Sequence, residues 1–299
     1  MAVREADVRL AVSAEQLPVR KSGLRRFVKA FFSRPVVLVC VAVLAVAVVT
    51  AIFAHLIAPY DPNDQNLAES LKQPSAEHWL GTDMLGRDVL SRVVYGTRIS
   101  LAVGFVVVFI AGVLGMSLGL LSGYVGGWVD TVLMRVMDAM IAVPMIVLAM
   151  ALGAVLGGGI VNVILSLGIA IVPTYARLMR GQVLAVKHSD FVVAGTLIGA
   201  SALRNMLVHV FPNCVSPLIV LMTMNLGTAI LAEAGLSFLG LGIDPPDPSW
   251  GSMVNDGYRY LLSNPLISLA PGVAIMAVVL SCNIIGDALR DALDPRLRN

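Results

Sequence analysis

Five ionisable side chains lie close to long apolar runs and could carry protons or ions through the chain: His55, Arg135, Asp138, Glu233 and Asp287. A charge at the centre of a bilayer costs about 2.5–3.5 kcal/mol or more, so such groups usually mark a transport pathway. None of the five falls in the middle of its run. Arg135 and Asp138 are expected to pair on one helical face, and Glu233 is expected to end the fifth run at its outer side. The pattern gives no carboxylate relay and argues against proton-driven transport.

The remaining residues give no indication of a catalytic nucleophile, a metal site or a phosphate-binding loop. The four His and three Cys residues are scattered, so neither a metal site nor a disulfide framework is indicated. A Gly-x-x-x-x-Gly-Lys-Ser/Thr phosphate loop does not occur in the sequence. We therefore expect no catalytic residue, no metal and no cofactor on this chain itself. A net charge of +2 gives no sign of a nucleic-acid surface.

The composition is that of a membrane protein. Of 299 residues, 58% are hydrophobic and 13% are charged, whereas soluble domains carry about 25% charged residues. A helix needs about 20 apolar residues to cross the hydrocarbon, and six runs predict an all-α, polytopic bundle of six transmembrane helices. Their predicted bounds are 36–58, 99–121, 132–156, 160–176, 215–232 and 266–285. The glycines at 157–159 predict that spans three and four form a tight antiparallel hairpin.

Lys and Arg are unevenly distributed between the loops. With the N-terminus inside, five of the 21 Lys and Arg residues fall in outer segments and the other sixteen in inner ones. Because inner loops of membrane proteins carry the excess of positive charge, both termini are expected in the cytoplasm. This orientation also places residues 190–213, between spans four and five, in the cytoplasm.

Span two carries a stripe of small residues at four-residue steps: Ala111, Gly115, Gly119 and Gly123. Such a stripe lets a neighbouring backbone approach closely, so these four are the candidate helix-packing residues. The sequence leaves open whether this interface is static or shears during transport. Pro144 and Pro173 are each expected to kink their helix, because proline removes a backbone hydrogen bond.

Residues 190–213 have an amphipathic pattern without being apolar enough to cross lipid. Apolar residues recur at helical spacing on both sides of Gly199. The first stripe is Phe191, Ala194 and Ile198, and the second is Leu203, Met206, Leu207 and Val210. Gly199 can adopt the left-handed conformation that turns one helix into the next. Ser189 or Asp190 is expected to cap the first helix and Pro212 to end the second, so the segment is predicted to be a short helix–turn–helix.

An apolar face outside lipid must be covered. From the residues alone three coverings remain open: the protein's own bundle, the lipid surface, or a groove on a partner, into which helices with this anchor spacing dock. A helix that lies on lipid usually presents several Lys and Arg side chains on its polar face. This segment offers only Arg204 and the flanking Lys187.

The same stretch resembles the cytoplasmic loop of the permeases of binding-protein-dependent ABC transporters. The family pattern is Glu-Ala-Ala, then a Gly, then a closing Ile-x-Leu-Pro, and the positions here read Val193-Ala194-Gly195, Gly199 and His209-Val210-Phe211-Pro212. Ala194, Gly199 and Pro212 match. Val193 stands in the place of the Glu and Gly195 in the place of the second Ala. These departures put in question any salt bridge that the Glu would make to the ATPase and leave the apolar face intact.

Four further blocks resemble the second permease subunit of peptide/nickel-type importers within that family. They lie at 81–98, 123–128, 236–251 and 286–295, and include Gly-Thr-Asp-Met-Leu-Gly-Arg-Asp, Gly-Tyr-Val-Gly-Gly-Trp, Leu-Ser-Phe-Leu-Gly-Leu-Gly and Gly-Asp-Ala-Leu-Arg-Asp-Ala-Leu. The first block is expected to be an interfacial helix that leads into span two, with Asp88 and Arg92 as an (i, i+4) pair. The last is expected to be a short polar helix that ends at Pro295. The loop at 244–251 is either a lid over the bundle or a contact for a delivery protein.

The resemblance implies the transmembrane domain of a type I ABC importer in a bacterial cytoplasmic (inner) membrane, and a set of partners. These are a second permease subunit that completes the pore, two ATP-binding subunits that hold ATP and Mg²⁺, an external substrate-binding protein, and the lipid bilayer. It also implies ATPase-coupling residues within a loop at 179–214: Asp190, Phe191, Ala194, Gly199, Ala200, Leu203, Met206, Leu207 and Pro212. The implied organisation is a cytoplasmic segment at 1–34, the first span with an external segment at 35–98, the transmembrane domain at 99–287, and a cytoplasmic tail at 288–299.

The implied cargo is a dipeptide or oligopeptide. Nickel complexes or glutathione, carried by the same machinery, are the alternatives, and the scattered histidines mildly favour peptides. In a different class, an ATP-independent secondary transporter or channel would show an intramembrane ion site, inverted repeats or matching broken helices, and no convincing repeat occurs. A membrane enzyme would need clustered catalytic residues, and none is visible.

Overall fold

The computed structural model describes residues 34–293 together with residues 28, 31 and 32. Within these residues the chain is all-helical, and the only β pairing is an isolated bridge between Thr82 and Asp88. The helices are α1 (Pro35–Ile52), α2 (Ala54–Ile57), α3 (Val89–Val125), α4 (Gly127–Ile141), α5 (Met145–Leu156), α6 (Ile160–Val186), α7 (Asp190–Leu197), α8 (Ala202–Arg204), α9 (Phe211–Phe238), α10 (Trp250–Tyr258) and α11 (Leu266–Leu293). Most of the predicted segment 1–34, and the predicted helix end at Pro295, lie outside the described residues.

Five helical stretches in the described part of the chain are long and apolar enough to cross a membrane. They are α1, α3, α6, the stretch Ala202–Phe238 and α11. Helices α4 and α5 are bent by 91° at the break between them and make a sixth span only if they are counted together. The third predicted span, 132–156, is therefore broken rather than kinked. Pro144 explains the break, because it has no N–H to donate and disfavours a helical conformation in the residue before it.

Three helices extend beyond the predicted spans. Helix α3 begins at Val89, where the Asp88 carboxylate accepts a hydrogen bond from the Ser91 N–H at 2.7 Å. Helix α6 continues through Pro173 to Val186, and α11 continues to Leu293. The interfacial helix expected to lead into span two is the start of α3 itself, and the polar helix expected in the tail is the end of α11. No helix breaker separates them from spans two and six, so each continues the same backbone hydrogen bonding.

Helix α3 packs against α6 through its stripe of small residues. A Cβ on Gly115 would come within 2.5 Å of the Tyr175 Cβ, and a Cβ on Gly119 would overlap the carbonyl oxygen of Ala176. A Cβ on Gly123 would lie 2.9 Å from the Val183 Cβ. Ala111, at the start of the stripe, is completely buried. The glycines thus admit α6 at a separation that larger side chains would prevent, and shear along this interface stays a prediction.

The loops meet at the two ends of the bundle. At the end here called the outer end, Gln73 Nε2 donates to the Ser263 carbonyl at 2.8 Å and Asn264 Nδ2 donates to the Leu71 carbonyl at 2.6 Å. The buried Trp250 at the start of α10 donates its indole N–H to the Val93 carbonyl at 3.1 Å. At the opposite end, here called the inner end, Lys187 Nζ donates to the Gly123 carbonyl at 3.0 Å.

Candidate functional site

The segment at 190–213, here called the elbow, lies at the inner end between α6 and α9. Its first arm is α7, which follows α6 after only three residues. Ser189 occupies the N-cap position of α7, but its hydroxyl donates to the Val186 carbonyl at 2.6 Å instead of capping the helix. Asp190 lies in the first turn, where a negative charge is favourable to the helix dipole.

The elbow turns at Gly199, as the sequence analysis predicts. Gly199 has φ +85°, a left-handed conformation that glycine adopts without strain. The N–H groups of Gly199 and Ala200 donate to the carbonyls of Thr196 and Gly195, each at 3.0 Å, and so satisfy the last carbonyls of α7. A Cβ on Gly199 would meet nothing within 4 Å. The glycine is therefore required by backbone conformation and not by crowding.

The second arm of the elbow begins with α8 and does not end at Pro212. The helix end predicted at Pro212 is therefore wrong. Ser201 caps α8 by accepting from the Arg204 N–H at 3.3 Å, and a π-helical turn at Asn205–Val210 leads directly into α9. Pro212 lies in the first turn of α9, where its missing N–H is tolerated. The elbow is thus continuous with a membrane-spanning helix on this side.

Asn205 joins the two arms of the elbow. Its side chain is 1% exposed, and its Nδ2 donates to the Thr196 Oγ1 at 2.9 Å. A Cβ on Gly195 would come within 2.6 Å of the Asn205 Oδ1, so Gly195 leaves the space that this amide fills. Asn205 was not among the predicted coupling residues. The available signal was an Asn between the apolar residues Leu203 and Met206, together with a Gly where the family pattern has Ala.

Much of the apolar surface of the elbow is exposed. We call its exposed apolar side chains the elbow face: Phe191, Val193, Leu197, Ile198, Leu203, Leu207 and Val208. Exposure is greatest at the turn, with 82% at Leu197 and 86% at Ile198. Of the other candidate coupling residues, Asp190, Ala194, Gly199 and Pro212 are exposed, and Ala200 is half-buried. Met206 and Val210 instead pack toward the core of the bundle, so the second predicted stripe is divided between two faces.

Two ion pairs attach α4 to α6, the helix that leads into the elbow. Arg180 binds Asp130 through two hydrogen bonds of 2.5 and 2.6 Å. Arg177 binds Asp138 at 2.6 Å. The predicted pairing of Arg135 with Asp138 is wrong. Arg135 is exposed, and the Arg177 guanidinium of the neighbouring helix takes the carboxylate.

Glu233 is not an outer cap of span five. It lies inside α9, is completely buried, and accepts hydrogen bonds from the hydroxyls of Ser237 at 2.8 Å and Ser100 at 3.3 Å. Ser100 is on α3, so the buried carboxyl group joins two spanning helices. This placement was not predicted, because α9 continues six residues beyond the predicted span.

A polar cavity of about 290 Å³ lies at the outer end, beside His78. His78 Nδ1 is 2.9 Å from Asp88 Oδ1, and its Nε2 is 3.3 Å from Glu69 Oε2. Burial lowers the pKa of His78, but the hydrogen bonds to Asp88 and Glu69 outweigh burial and raise the pKa above its ordinary value. Hydrogen bonds from Lys72 and His78 lower the pKa of Glu69. This cluster was not expected from the sequence.

The predicted pair of Asp88 with Arg92 is also wrong. Asp88 is engaged by His78 and by the N-terminus of α3. Arg92 is buried, lies 3.6 Å from Asp83, and donates to the Pro62 carbonyl at 3.0 Å. Asp83 also binds Arg87 at 2.6 Å. Tertiary partners therefore displace the local pairing. Within the described residues no group of three or more His, Cys, Asp or Glu side chains could hold a metal ion.

Two family models match the sequence. The model described as "Binding-protein-dependent transport system inner membrane component" matches residues 115–299. The model described as "N-terminal TM domain of oligopeptide transport permease C" matches residues 22–74. Together they cover both the elbow and the first spanning helix.

Several curated proteins are similar along most of their length. The glutathione transport system permease protein GsiD of Escherichia coli O6:K15:H31 is 46% identical over 252 residues, which covers 84% of this chain and 83% of that protein. The protein of the same name from Shigella dysenteriae serotype 1 is 45% identical over 252 residues.

One solved structure gives independent support for the fold. A chain of a structure titled "Inward facing conformations of the MetNI methionine ABC transporter" aligns with a TM-score of 0.54, covering 68% of this chain and 97% of that chain. The identity is 20%, so this similarity concerns the fold alone.

Proposed function

This chain belongs to the family of inner membrane components of binding-protein-dependent transport systems and is an ABC importer permease, and on that premise we propose that it forms half of the pore of an ATP-driven importer of small peptides. The family places it in the inner membrane as a multi-pass protein. Permeases of this kind work with a partner permease, ATPase subunits and a binding protein.

The observation that carries the proposal is the exposed elbow face between two spanning helices. An apolar surface of this kind is stable in water only when something covers it. The elbow is joined to α6 on one side and to α9 on the other, so a force on it acts directly on two helices of the pore. A separate ATPase that grips the elbow would therefore move the pore without any nucleotide site on this chain.

In the proposed cycle, ATP and Mg²⁺ bind only to two partner ATPase subunits, and this chain hydrolyses nothing. Closure of these subunits displaces the elbow together with that of a second permease subunit, and the attached helices switch access from outside to inside. The small-residue contact between α3 and α6 is the place where helices can slide. The break between α4 and α5 is the place where the bundle can bend.

Small peptides are the proposed substrates, delivered by an external binding protein. Glutathione is the first to test, because curated relatives at 46% identity are named as glutathione permeases, and glutathione is itself a small peptide. Both termini are proposed to be cytoplasmic, on the basis of the Lys and Arg distribution. In this orientation the elbow faces the ATPases and the His78 cavity faces the binding protein.

The test is reconstitution of this chain with its partner permease and two ATPase subunits in proteoliposomes. We expect ATP hydrolysis that a loaded binding protein stimulates, and ATP-dependent uptake of labelled glutathione or dipeptides. Uptake by this chain alone, driven by a proton gradient, would instead identify an ATP-independent transporter. A complex that hydrolyses ATP but takes up nickel complexes and no peptide would reject the substrate assignment alone.

A further inference from the structure

The elbow face carries little charge. Across 190–213 the permanently charged side chains are Asp190 and Arg204, and both are exposed. Val193, which is 46% exposed, is part of the face itself. A partner that covers this surface thus meets seven apolar side chains and only two charges, which are of opposite sign.

The elbow face covers the side of α7 that faces away from the bundle. Val192 and Gly195 form the buried stripe of α7, while Phe191 and Val193, on either side of Val192, are both exposed. Leu197 and Ile198 extend the exposed surface around the turn. A helix lying on a bilayer presents one apolar side and a cationic polar side. The elbow has no such cationic side, since Arg204 is the only Lys or Arg within 190–213, and this favours a groove on a protein.

The two arms are held in position before any partner arrives. Asn205 connects them through Thr196, and Gly195 gives Asn205 the space it occupies. A preorganised surface loses little conformational entropy on binding, which leaves more of the apolar burial available for affinity.

We propose that the ATPase subunit receives the elbow face in an apolar groove with no basic side chain opposite Val193, so that assembly depends on apolar burial and not on ion pairs. This inference rests on the proposed function and specifies the chemistry of the partner surface. It gives the Val at position 193 a direct role: a carboxylate there is incompatible with the groove.

The test measures how much ATPase accompanies an affinity-tagged form of this chain when the full complex is purified. The amount of ATPase recovered with the wild-type chain is expected to change less than about twofold between about 0.1 M and about 1 M salt, although the Debye length falls from about 10 Å to about 3 Å. Val193→Glu is expected to lower ATPase recovery by about tenfold or more, because it buries an unpaired charge. Val193→Ile is expected to leave it unchanged.

Two controls separate this effect from misfolding. Leu262→Glu adds the same charge at a fully exposed apolar residue of the outer end and is expected to leave ATPase recovery unchanged. Recovery of the second permease subunit with Val193→Glu shows that the variant inserts and assembles its pore. Loss of the ATPase from the wild type at high salt, or equal or tighter retention by Val193→Glu, would overturn the inference. Absence of any ATPase from the wild-type complex at low salt would overturn the proposed function itself.

Discussion

Arg180 on α6 binds Asp130 on α4 with both a 2.5 Å bond from Nε and a 2.6 Å bond from Nη2. Asp138, eight residues along α4, binds Arg177, only three residues from Arg180. Eight helical residues extend about 12 Å and three extend about 4.5 Å. The two ion pairs therefore span a longer stretch of α4 than of α6. The two pairs tie the bent α4–α5 segment to the helix that continues into the elbow.

The two ion pairs should contribute unequally to stability. Asp130→Asn is expected to destabilise the purified complex by about 1–3 kcal/mol, because it leaves a partly buried Arg180 without its carboxylate. Asp138→Asn is the matched control, since Asp138 and Arg177 are about half exposed, and surface pairs contribute about 1 kcal/mol or less. Thermal unfolding in detergent measures both. A larger shift for Asp138→Asn would contradict the assigned roles.

The contact between α3 and α6 should not tolerate a methyl group at Gly119. Gly119→Ala places its Cβ on the Ala176 carbonyl oxygen, so α6 must move away and buried packing is lost. Gly181→Ala, on α6, is the control because a Cβ there meets nothing within 4 Å. That change should be neutral or stabilise by up to about 1 kcal/mol. The amount of chain recovered in the membrane and its unfolding temperature measure the difference. Equal values for the two variants would contradict the close contact at Gly119.

Apolar runs and loop charges predicted the helical membrane bundle, because long stretches without charge have few other stable structures. The turn at Gly199 was also predictable from the local sequence, because a glycine separates two apolar stripes of helical spacing. Helix ends were less predictable: Pro212 can end one helix or begin another, and only the preceding π turn decides which. The partners of Asp138 and Arg92 were not predictable. Arg177 is distant from Asp138 in the sequence, and Asp83 is outside helical spacing from Arg92.

The segment at 59–88 should have a pH window of stability set by His78 and Glu69. The raised pKa of His78 stabilises the folded segment below about 6.5, and this contribution disappears as the pH rises through the raised value. The lowered pKa of Glu69 acts oppositely: its contribution is present above about 4.3 and disappears as the pH falls through the lowered value. Amide hydrogen exchange of 59–88 as a function of pH measures both limits.

His78→Gln is the control for that window. It removes the group that titrates at the alkaline limit, so protection of 59–88 should no longer fall there, while the acid limit remains because the hydrogen bond from Lys72 still lowers the pKa of Glu69. An alkaline limit that persists in His78→Gln would assign the pH dependence to another group.

Gly195 and Asn205 should behave as a coupled pair. Gly195→Ala is expected to impair ATP-dependent uptake, because its Cβ would come within 2.6 Å of the Asn205 Oδ1 and push the arms apart. Asn205→Ala removes that obstacle together with the bond to Thr196. The double variant should therefore lose less activity than the two single losses combined. Strictly additive losses would indicate that the two residues do not share this space.

Gly199 should control coupling through backbone conformation alone. Gly199→Val is expected to uncouple ATP hydrolysis from uptake while the chain still inserts, because a β-branched residue at φ +85° is strained and the turn must open. Gly199→Asn is the matched control, since Asn tolerates the left-handed region and the surrounding space is open. The ratio of substrate taken up to ATP hydrolysed should fall in the Val variant and be largely kept in the Asn variant. An unchanged ratio with Gly199→Val would mean that the conformation of this turn does not transmit the force.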